Sequence, residues 1–173
     1  MTPPTVVFSH GKDGEPWGIK IAALAETARG EGYTVDSADY RAVNDVEQRA
    51  AILQELCKSI RGDLVLVGSS LGAYNVLQVA PSLHAYGVFL LAPAIYVDPL
   101  PPLHTYKTDC PVTIVHGLQD DVVPFEHSIR FARETGATLH LVNDDHRMHS
   151  QVPFLKFLFE YFLIQLDLPR MRG

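Results

Sequence analysis

Five residues, Gly68-Ser69-Ser70-Leu71-Gly72, join an apolar run to a helix-like run with almost no loop between them. The apolar run covers residues 64–67 and the helix-like run covers residues 73–80. A Gly-x-Ser-x-Gly sequence between a strand and a helix is typical of a strained turn that lifts its central side chain above a sheet. Sterics favour glycine at both positions, because a β-carbon at Gly68 or Gly72 would crowd the crossing of the strand and the helix. The pattern therefore indicates Ser70 as a nucleophile, with an ordinary glycine- and serine-rich βα turn as the alternative.

Six short apolar runs alternate with helix-like segments along the chain. The runs cover residues 5–8, 33–37, 64–67, 86–91, 112–115 and 138–142. Helical spacing of apolar residues predicts helices over residues 17–29, from about 44 to 60, 73–80, 124–134 and 151–166. Because parallel strands that are buried on both faces contain near-continuous apolar runs, the alternation predicts an α/β fold. We expect a three-layer, doubly wound sandwich with a parallel sheet of about six strands.

Composition and charge narrow the class of protein further. The 173 residues are enough for one domain, which we expect to cover residues 1–173. The net charge of −6, without any cluster of Lys and Arg, argues against nucleic-acid binding. The first residues lack the features of a signal peptide, and no apolar run is long enough to span a membrane. Cys57 and Cys110 fit a reducing compartment and form no metal-binding spacing, so we expect a cytoplasmic protein without membrane contact.

The connection between the fourth and fifth apolar runs is unusually long. Residues 92–111 are rich in proline and carry apolar side chains between the prolines. One interpretation is a stiff surface loop whose apolar residues pack on the core. The other is a flap that lines a substrate pocket. In either case the stretch is too short to form an independent lid domain.

Polar residues follow four of the six predicted strands. Parallel sheets bind their ligands beyond the carboxyl ends of the strands, so these residues are expected at one edge of the sheet. They are Ser9-His10-Gly11-Lys12 after the first strand, Ser70 after the third, His116-Gly117-Leu118-Gln119-Asp120-Asp121 after the fifth, and Asn143-Asp144-Asp145-His146-Arg147-Met148-His149 after the sixth. A serine, an acid and a histidine thus occur in the chain order Ser, Asp, His, which is the order of the triad in α/β-hydrolases.

The four motifs together resemble those of small bacterial serine α/β-hydrolases that lack a lid. The likeness is carried by Ser9-His10-Gly11, by the turn around Ser70, by His116-Gly117-Leu118-Gln119-Asp120 with Val123-Pro124, and by Asp145-His146-Arg147, and it covers nearly the whole chain. The resemblance implies the strand order 2-1-3-4-5-6, without the first two antiparallel strands that are usual in the family. It also implies cleavage of an ester, thioester or similar acyl bond of a small molecule, with no metal and no organic cofactor.

The resemblance further implies a role for each residue of a Ser-His-Asp triad. Ser70 lies at the apex of the turn and is the expected nucleophile. His146 matches the family's base, which must accept the serine proton, and His149 is the alternative. Asp120 matches the family's acid, which holds the histidine in the correct tautomer, and Asp121 is the competing carboxylate.

Backbone N–H groups of Leu71 and Lys12 are expected to form the oxyanion hole, since one follows the nucleophile and the other follows the first strand. His10 and His116 stand in His-Gly turns at strand ends, where a structural role that orients the loop is expected. The side chains expected near the substrate are Trp17, Ile95, Tyr96 and Leu103. For the tryptophan, the alternative is that it is simply the first packed residue of its helix.

The sequence therefore predicts a serine hydrolase of the carboxylesterase or thioesterase type. Two alternatives stay open. One is a binding or interaction protein that retains the fold without catalysis, because a fold does not determine a function. The other is an acyltransferase, since the same residue types serve transfer to an alcohol or amine.

Overall fold

Six strands form one parallel sheet in the computed structural model, which describes residues 3–103, 106 and 108–171. The strands are β1 (Thr5–Ser9), β2 (Thr34–Ala38), β3 (Leu64–Ser69), β4 (Gly87–Leu91), β5 (Val112–Gly117) and β6 (Thr138–Val142). Their order across the sheet is β2-β1-β3-β4-β5-β6, and every neighbouring pair is parallel. The predicted fold and strand order are confirmed.

In the described part of the chain, five α-helices cover the two faces of this sheet. They are α1 (Ile19–Gly30), α2 (Val46–Lys58), α3 (Leu71–Val79), α4 (Phe125–Thr135) and α5 (Val152–Met171). Helices α1 and α5 pack on one face, where Leu24 and Phe159 share a buried cluster with Phe8 of β1. The other three helices pack on the opposite face, where Val76 and Phe131 join Leu66 of β3. Among the described residues, no helix has the length and apolar character needed to cross a membrane.

The alternation of side chains along each strand explains the three layers. In β1, Phe8 belongs to the cluster under α1 and α5, whereas its neighbour Val7 belongs to the cluster under α2 and α3. Successive side chains of a strand point to opposite faces, so a strand that is apolar at every position needs helices on both sides. The apolar runs of the sequence therefore required this double covering.

Helix boundaries differ from the predicted ones by a few residues, for local reasons. Helix α2 begins after Asp45, whose carboxylate accepts a hydrogen bond from the N–H of Gln48 at 2.9 Å, as expected for an N-cap. Helix α1 begins at Ile19, two residues later than predicted, because Gly18 is its N-cap. The buried face of α2 contains Arg49 beside Ala50 and Leu53, and the apolar pattern did not predict this arginine.

The turn between β3 and α3 brings the backbone of α3 very close to the ends of β3 and β1. Ser70 has a positive φ of 54°, a conformation that is strained for a residue with a β-carbon. A β-carbon at Gly68 would lie 2.7 Å from the backbone nitrogen of Ala73. A β-carbon at Gly72 would lie 2.6 Å from the carbonyl oxygen of His10 and would also clash with the backbone of Ser9. Helix α3 therefore approaches the end of β1 as closely as backbone atoms allow.

We expect Gly72→Ala to lower the free energy of unfolding by roughly 3 kcal/mol or more, because the added methyl group meets backbone atoms that have no alternative rotamer. Urea denaturation followed by circular dichroism measures the change. The matched control is Gly30→Ala in α1, where an added β-carbon has no heavy atom within 4 Å. The control substitution should leave the free energy of unfolding unchanged or raise it by up to about 1 kcal/mol. Equal stability of the two variants would contradict the close approach described here.

Candidate active site

Three side chains from three different strand ends meet at the carboxyl edge of the sheet. Ser70 follows β3, Asp120 follows β5 and His146 follows β6. The His146 Nε2 atom lies 3.0 Å from Ser70 Oγ, and the His146 Nδ1 atom lies 2.7 Å from Asp120 Oδ2. The structure thus brings the predicted serine, histidine and acid into one hydrogen-bonded line.

The Asp120 carboxylate accepts four hydrogen bonds. Its Oδ1 atom accepts from the backbone N–H groups of Val122 and Val123 at 2.9 and 2.8 Å. Its Oδ2 atom accepts from the rings of His146 and His116 at 2.7 and 2.9 Å. The side chain is completely buried, and this burial works to raise its pKa. The hydrogen bonds from Val123, His146 and Val122 outweigh burial, so the pKa of Asp120 lies below its ordinary value and the group is a carboxylate.

The partners of His146 determine its tautomer. Because the ionised Asp120 offers only acceptors, Nδ1 of His146 carries the proton and donates it to the carboxylate. The unprotonated Nε2 then faces Ser70 and accepts the hydroxyl hydrogen. The ring is 18% exposed, so one edge is open to solvent or a ligand. This arrangement is chemically able to remove a proton from the serine and to stabilise the resulting imidazolium beside a carboxylate.

A second histidine also binds the Asp120 carboxylate. His116, which is completely buried, places Nε2 at 2.9 Å from Asp120 Oδ2 and 3.0 Å from the carbonyl oxygen of Val123. Both partners are acceptors, so Nε2 carries the hydrogen, and Nδ1 accepts from the hydroxyl of Ser128 at 2.7 Å. Burial lowers the pKa of His116, which keeps the ring neutral. The sequence predicted only a loop-orienting role, and nothing in its pattern indicated that this ring reaches the acid.

Glycine and aspartate residues place the loop that carries His146. A β-carbon at Gly117, the last residue of β5, would lie 2.6 Å from the carbonyl oxygen of Asp145 and would also clash with Asp144. The Asp144 carboxylate accepts from the N–H and hydroxyl of Ser150, and the Asp145 carboxylate accepts from the N–H of Met148. The two carboxylates therefore organise the loop in which they lie.

The loop after β1 lies close to Ser70. A β-carbon at Gly11 would be 3.3 Å from Ser70 Cβ. The His10 ring donates through Nδ1 to the carbonyl oxygen of Gly11 at 2.7 Å and accepts through Nε2 from the N–H of Tyr40 at 3.0 Å. This matches the predicted structural role of His10. Lys12 follows Gly11 at the surface, and Leu71 begins α3 immediately after Ser70.

The competing candidates for the triad are both exposed at the surface. His149 is exposed in a short 3-10 turn over residues His149–Gln151. Asp121 is exposed as well. Among the described residues, no group of three or more His, Cys, Asp or Glu side chains is arranged to hold a metal ion.

The residues predicted to lie near the substrate have different environments. Trp17 is 45% exposed, with its ring 6.5 Å from that of Phe8. Ile95 is only 1% exposed and packs in the core under α2 and α3. Leu103 is partly buried against the same cluster. Tyr96 donates its hydroxyl hydrogen to Glu134 of α4 at 2.6 Å. Of the four, Ile95 therefore belongs to the interior, whereas Trp17 and Tyr96 are exposed near the surface.

Comparison with solved structures identifies the family. A protein assigned to the alpha/beta superfamily of hydrolases, from Xanthomonas campestris pv. campestris, is 30% identical over 95% of this chain and 99% of that chain, with a TM-score of 0.86. The parallel sheet with the strand order β2-β1-β3-β4-β5-β6 is that of an α/β-hydrolase fold. The chain belongs to the α/β-hydrolase superfamily.

More distant structures share the fold alone. A serine hydrolase without a lid, also from Xanthomonas campestris, is 18% identical over 95% of this chain and 83% of that chain, with a TM-score of 0.81. A monoacylglycerol lipase from Paleococcus ferrophilus is 16% identical over 96% and 97% of the two chains, with a TM-score of 0.78. A scan of family models finds no match, and neither does a search of curated proteins.

The buried rings of His10 and His116 predict that stability falls in mild acid. Burial lowers the pKa of both rings from the ordinary value of 6.5. Below pH 6.5 the unfolded chain takes up protons that the folded chain does not, so the free energy of unfolding decreases as pH falls. The slope is at most about 1.4 kcal/mol per pH unit for each such proton. Urea denaturation at pH 7.5 and pH 5.5 measures it.

His116→Gln removes one of these titrating groups and should therefore reduce the loss of stability between pH 7.5 and pH 5.5. His84→Asn is the control, because His84 is exposed and its positive φ of 50° is one that asparagine adopts readily. The pH dependence of the control should equal that of the wild type. An unchanged slope in His116→Gln would show that this ring does not resist protonation.

Proposed function

We propose that this α/β-hydrolase is a serine hydrolase that cleaves a small acyl ester or thioester. The observation that carries the proposal is the line of hydrogen bonds from Ser70 through His146 to Asp120, at 3.0 and 2.7 Å. Because the Asp120 carboxylate binds Nδ1 of His146, Nε2 of the same ring faces the Ser70 hydroxyl, which is the orientation that nucleophilic attack requires. The free thiols of Cys57 and Cys110 are compatible with the cytoplasmic location that we propose along with it.

The proposed reaction has two halves with an acyl-enzyme between them. In the first half, Ser70 Oγ forms a bond to the carbonyl carbon while His146 Nε2 takes the hydroxyl proton. His146 then returns that proton to the leaving group as its bond to the carbon breaks. In the second half, water adds to the acyl carbon, His146 takes a proton from the water, and the bond to Ser70 breaks as the proton returns to the serine.

Negative charge develops on the carbonyl oxygen in both halves of the reaction. We propose that the backbone N–H groups of Leu71 and Lys12 stabilise it. Leu71 supports this assignment because it is the first residue of α3, directly after Ser70, so its N–H belongs to the helix N-terminus. Lys12 supports it because it follows Gly11, whose backbone packs against Ser70. Loss of one such donor typically costs about a hundredfold to a thousandfold in turnover.

The role of Asp120 in this proposal is to orient His146 and to stabilise its charged form. The acid is held in place by four hydrogen bonds, two of them from the backbone. His116 occupies the side of Oδ2 that His146 leaves free, and it remains neutral. The carboxylate therefore keeps its full charge for the imidazolium that forms during the reaction.

A fluorophosphonate probe should label the wild-type protein once and should not label Ser70→Ala, because the Ser70 hydroxyl faces the partly exposed ring of His146. Ser128 also binds a histidine ring, that of His116, but it is completely buried and out of reach of the probe. His146→Ala should be labelled at least about a thousandfold more slowly, since the base is lost. Mass spectrometry of the intact protein and a time course of labelling measure both effects.

The matched controls are Ser69→Ala, at the neighbouring serine of the same turn, and His149→Ala, at the competing histidine. Both should be labelled at the wild-type rate. Labelling that survives in Ser70→Ala would place the nucleophile elsewhere. A wild-type protein that is never labelled would favour a binding protein that retains the fold.

We propose a preference for short acyl chains, because the loop beside the nucleophile is tied down at two points. The N–H of Ala94 donates to the carbonyl oxygen of Ser70 at 3.1 Å. Two residues further on, the Tyr96 hydroxyl binds Glu134, and the guanidinium of Arg130 lies 4.0 Å from the centre of the tyrosine ring. A long acyl chain gains about 0.8 kcal/mol for each methylene group that is buried, which requires a cover that this loop does not offer.

We therefore expect a higher kcat/KM for p-nitrophenyl acetate or butyrate than for p-nitrophenyl palmitate. Tyr96→Ala should change the ratio of these values more than it changes kcat for the acetate. Tyr161→Ala, at an exposed position of α5, is the control and should change neither. A kcat/KM that rises steadily up to sixteen carbons would contradict the preference.

A further inference from the structure

Arg49 is a fully buried arginine that has no acidic partner among the residues that the structure describes. Among the described residues its hydrogen bonds go to two backbone carbonyl groups, those of His10 and Gly11, through Nη2. Its guanidinium carbon lies 4.3 Å from the centre of the Tyr40 ring. Its Nε and Nη1 atoms have no hydrogen-bond partner in the described part of the chain. Burying a guanidinium in this way is costly, so the arrangement calls for a function.

The carbonyl group of Gly11 is the point at which this arginine meets the active site. Its oxygen accepts hydrogen bonds from His10 Nδ1 at 2.7 Å, from Arg49 Nη2 at 3.3 Å and from the N–H of Gly14 at 3.3 Å. Three donors fix the direction of this carbonyl bond. The peptide group that contains it is also the one that contains the N–H of Lys12.

In a trans peptide the C=O and N–H bonds point in opposite directions, and the peptide between Gly11 and Lys12 is trans. Holding the Gly11 carbonyl toward Arg49 therefore turns the N–H of Lys12 away from the interior of the loop. Gly11 itself packs against Ser70. Hydrogen bonds to a carbonyl oxygen also polarise the peptide group, which makes its N–H a stronger donor.

We propose that Arg49 is a positioning residue of the oxyanion hole, which aligns and polarises the peptide whose N–H, that of Lys12, faces the developing oxyanion. This inference rests on the proposed function. Arginine is suited to the role because its planar group offers several donors in a fixed arrangement and keeps its charge when buried. The same positive charge, in a region of low dielectric constant, favours the negative transition state over the neutral substrate.

The test is Arg49→Met, which keeps much of the side-chain volume and removes the charge and the donors. With p-nitrophenyl acetate we expect kcat to fall at least about tenfold while KM stays within about twofold, because the lost interaction acts on the transition state. The affinity for butylboronic acid, which forms a tetrahedral adduct with a serine, should fall by a similar factor. The acidic limb of the pH–rate profile should stay in place, since Ser70, His146 and Asp120 are untouched.

Arg49→Lys and Arg61→Met complete the series. The lysine keeps a charge and some donors, so its kcat should lie between those of the wild type and Arg49→Met. Arg61 is exposed and donates to the carbonyl oxygen of Lys58, so its substitution should leave all four measurements unchanged. If circular dichroism shows that Arg49→Met does not fold, Arg49→Lys decides the question on kcat and boronate affinity.

Wild-type kcat and boronate affinity in Arg49→Met would overturn the inference, and so would an effect on KM alone. A shifted acidic limb would overturn it as well, because it would mean that Arg49 acts on the triad. These results leave the proposed function standing. If the wild-type protein neither turns over the ester nor reacts with a fluorophosphonate, the proposed function fails and this inference fails with it.

Discussion

The close approach of α3 to the end of β1 is the contact on which the rest of the site depends. Gly72 leaves no space for a side chain between the helix and the carbonyl groups of Ser9 and His10. That contact brings Gly11 beside Ser70, and so sets where the loop after β1 can offer a hydrogen bond. The strained backbone of Ser70 is held by β4 and its loop, through bonds to Leu91 and Ala94. A strained conformation persists only when its surroundings determine it in this way.

The Asp120 carboxylate is the second group on which the site depends. It is stabilised by hydrogen bonds and not by a cationic side chain. Two backbone N–H groups and two histidine rings satisfy a side chain that has no contact with water. Because burial disfavours the protonated form of the neighbouring His116, this ring donates without adding a charge that would compete with His146. The carboxylate therefore links β5, its following turn and the loop after β6 into one unit.

Arg49 and His10 hold the loop after β1, which lies on the other side of Ser70 from Asp120. Both fix carbonyl groups of the loop after β1, and neither touches Ser70 through its side chain in the contacts described. Apolar spacing predicted the inner face of α2 correctly at Ala50 and Leu53 but not at Arg49. An arginine in a helix is normally solvated. The burial of Arg49 is explained only by its backbone acceptors, which are 38 residues away in the sequence for Gly11 but adjacent in space.

The sequence by itself determined the alternation of strands and helices, since apolar runs that need cover on both faces admit few other folds. It also determined the turn around Ser70, because a turn depends on neighbouring residues, and it contains the order of serine, acid and histidine directly. The tertiary structure decided which side chains meet. His116 joins His146 at Asp120, and Ile95 turns into the core, because those contacts depend on how β4, β5, β6 and their loops are placed in space. The pattern of neighbouring residues does not determine such distances, because they are set by the packing of the sheet and its loops.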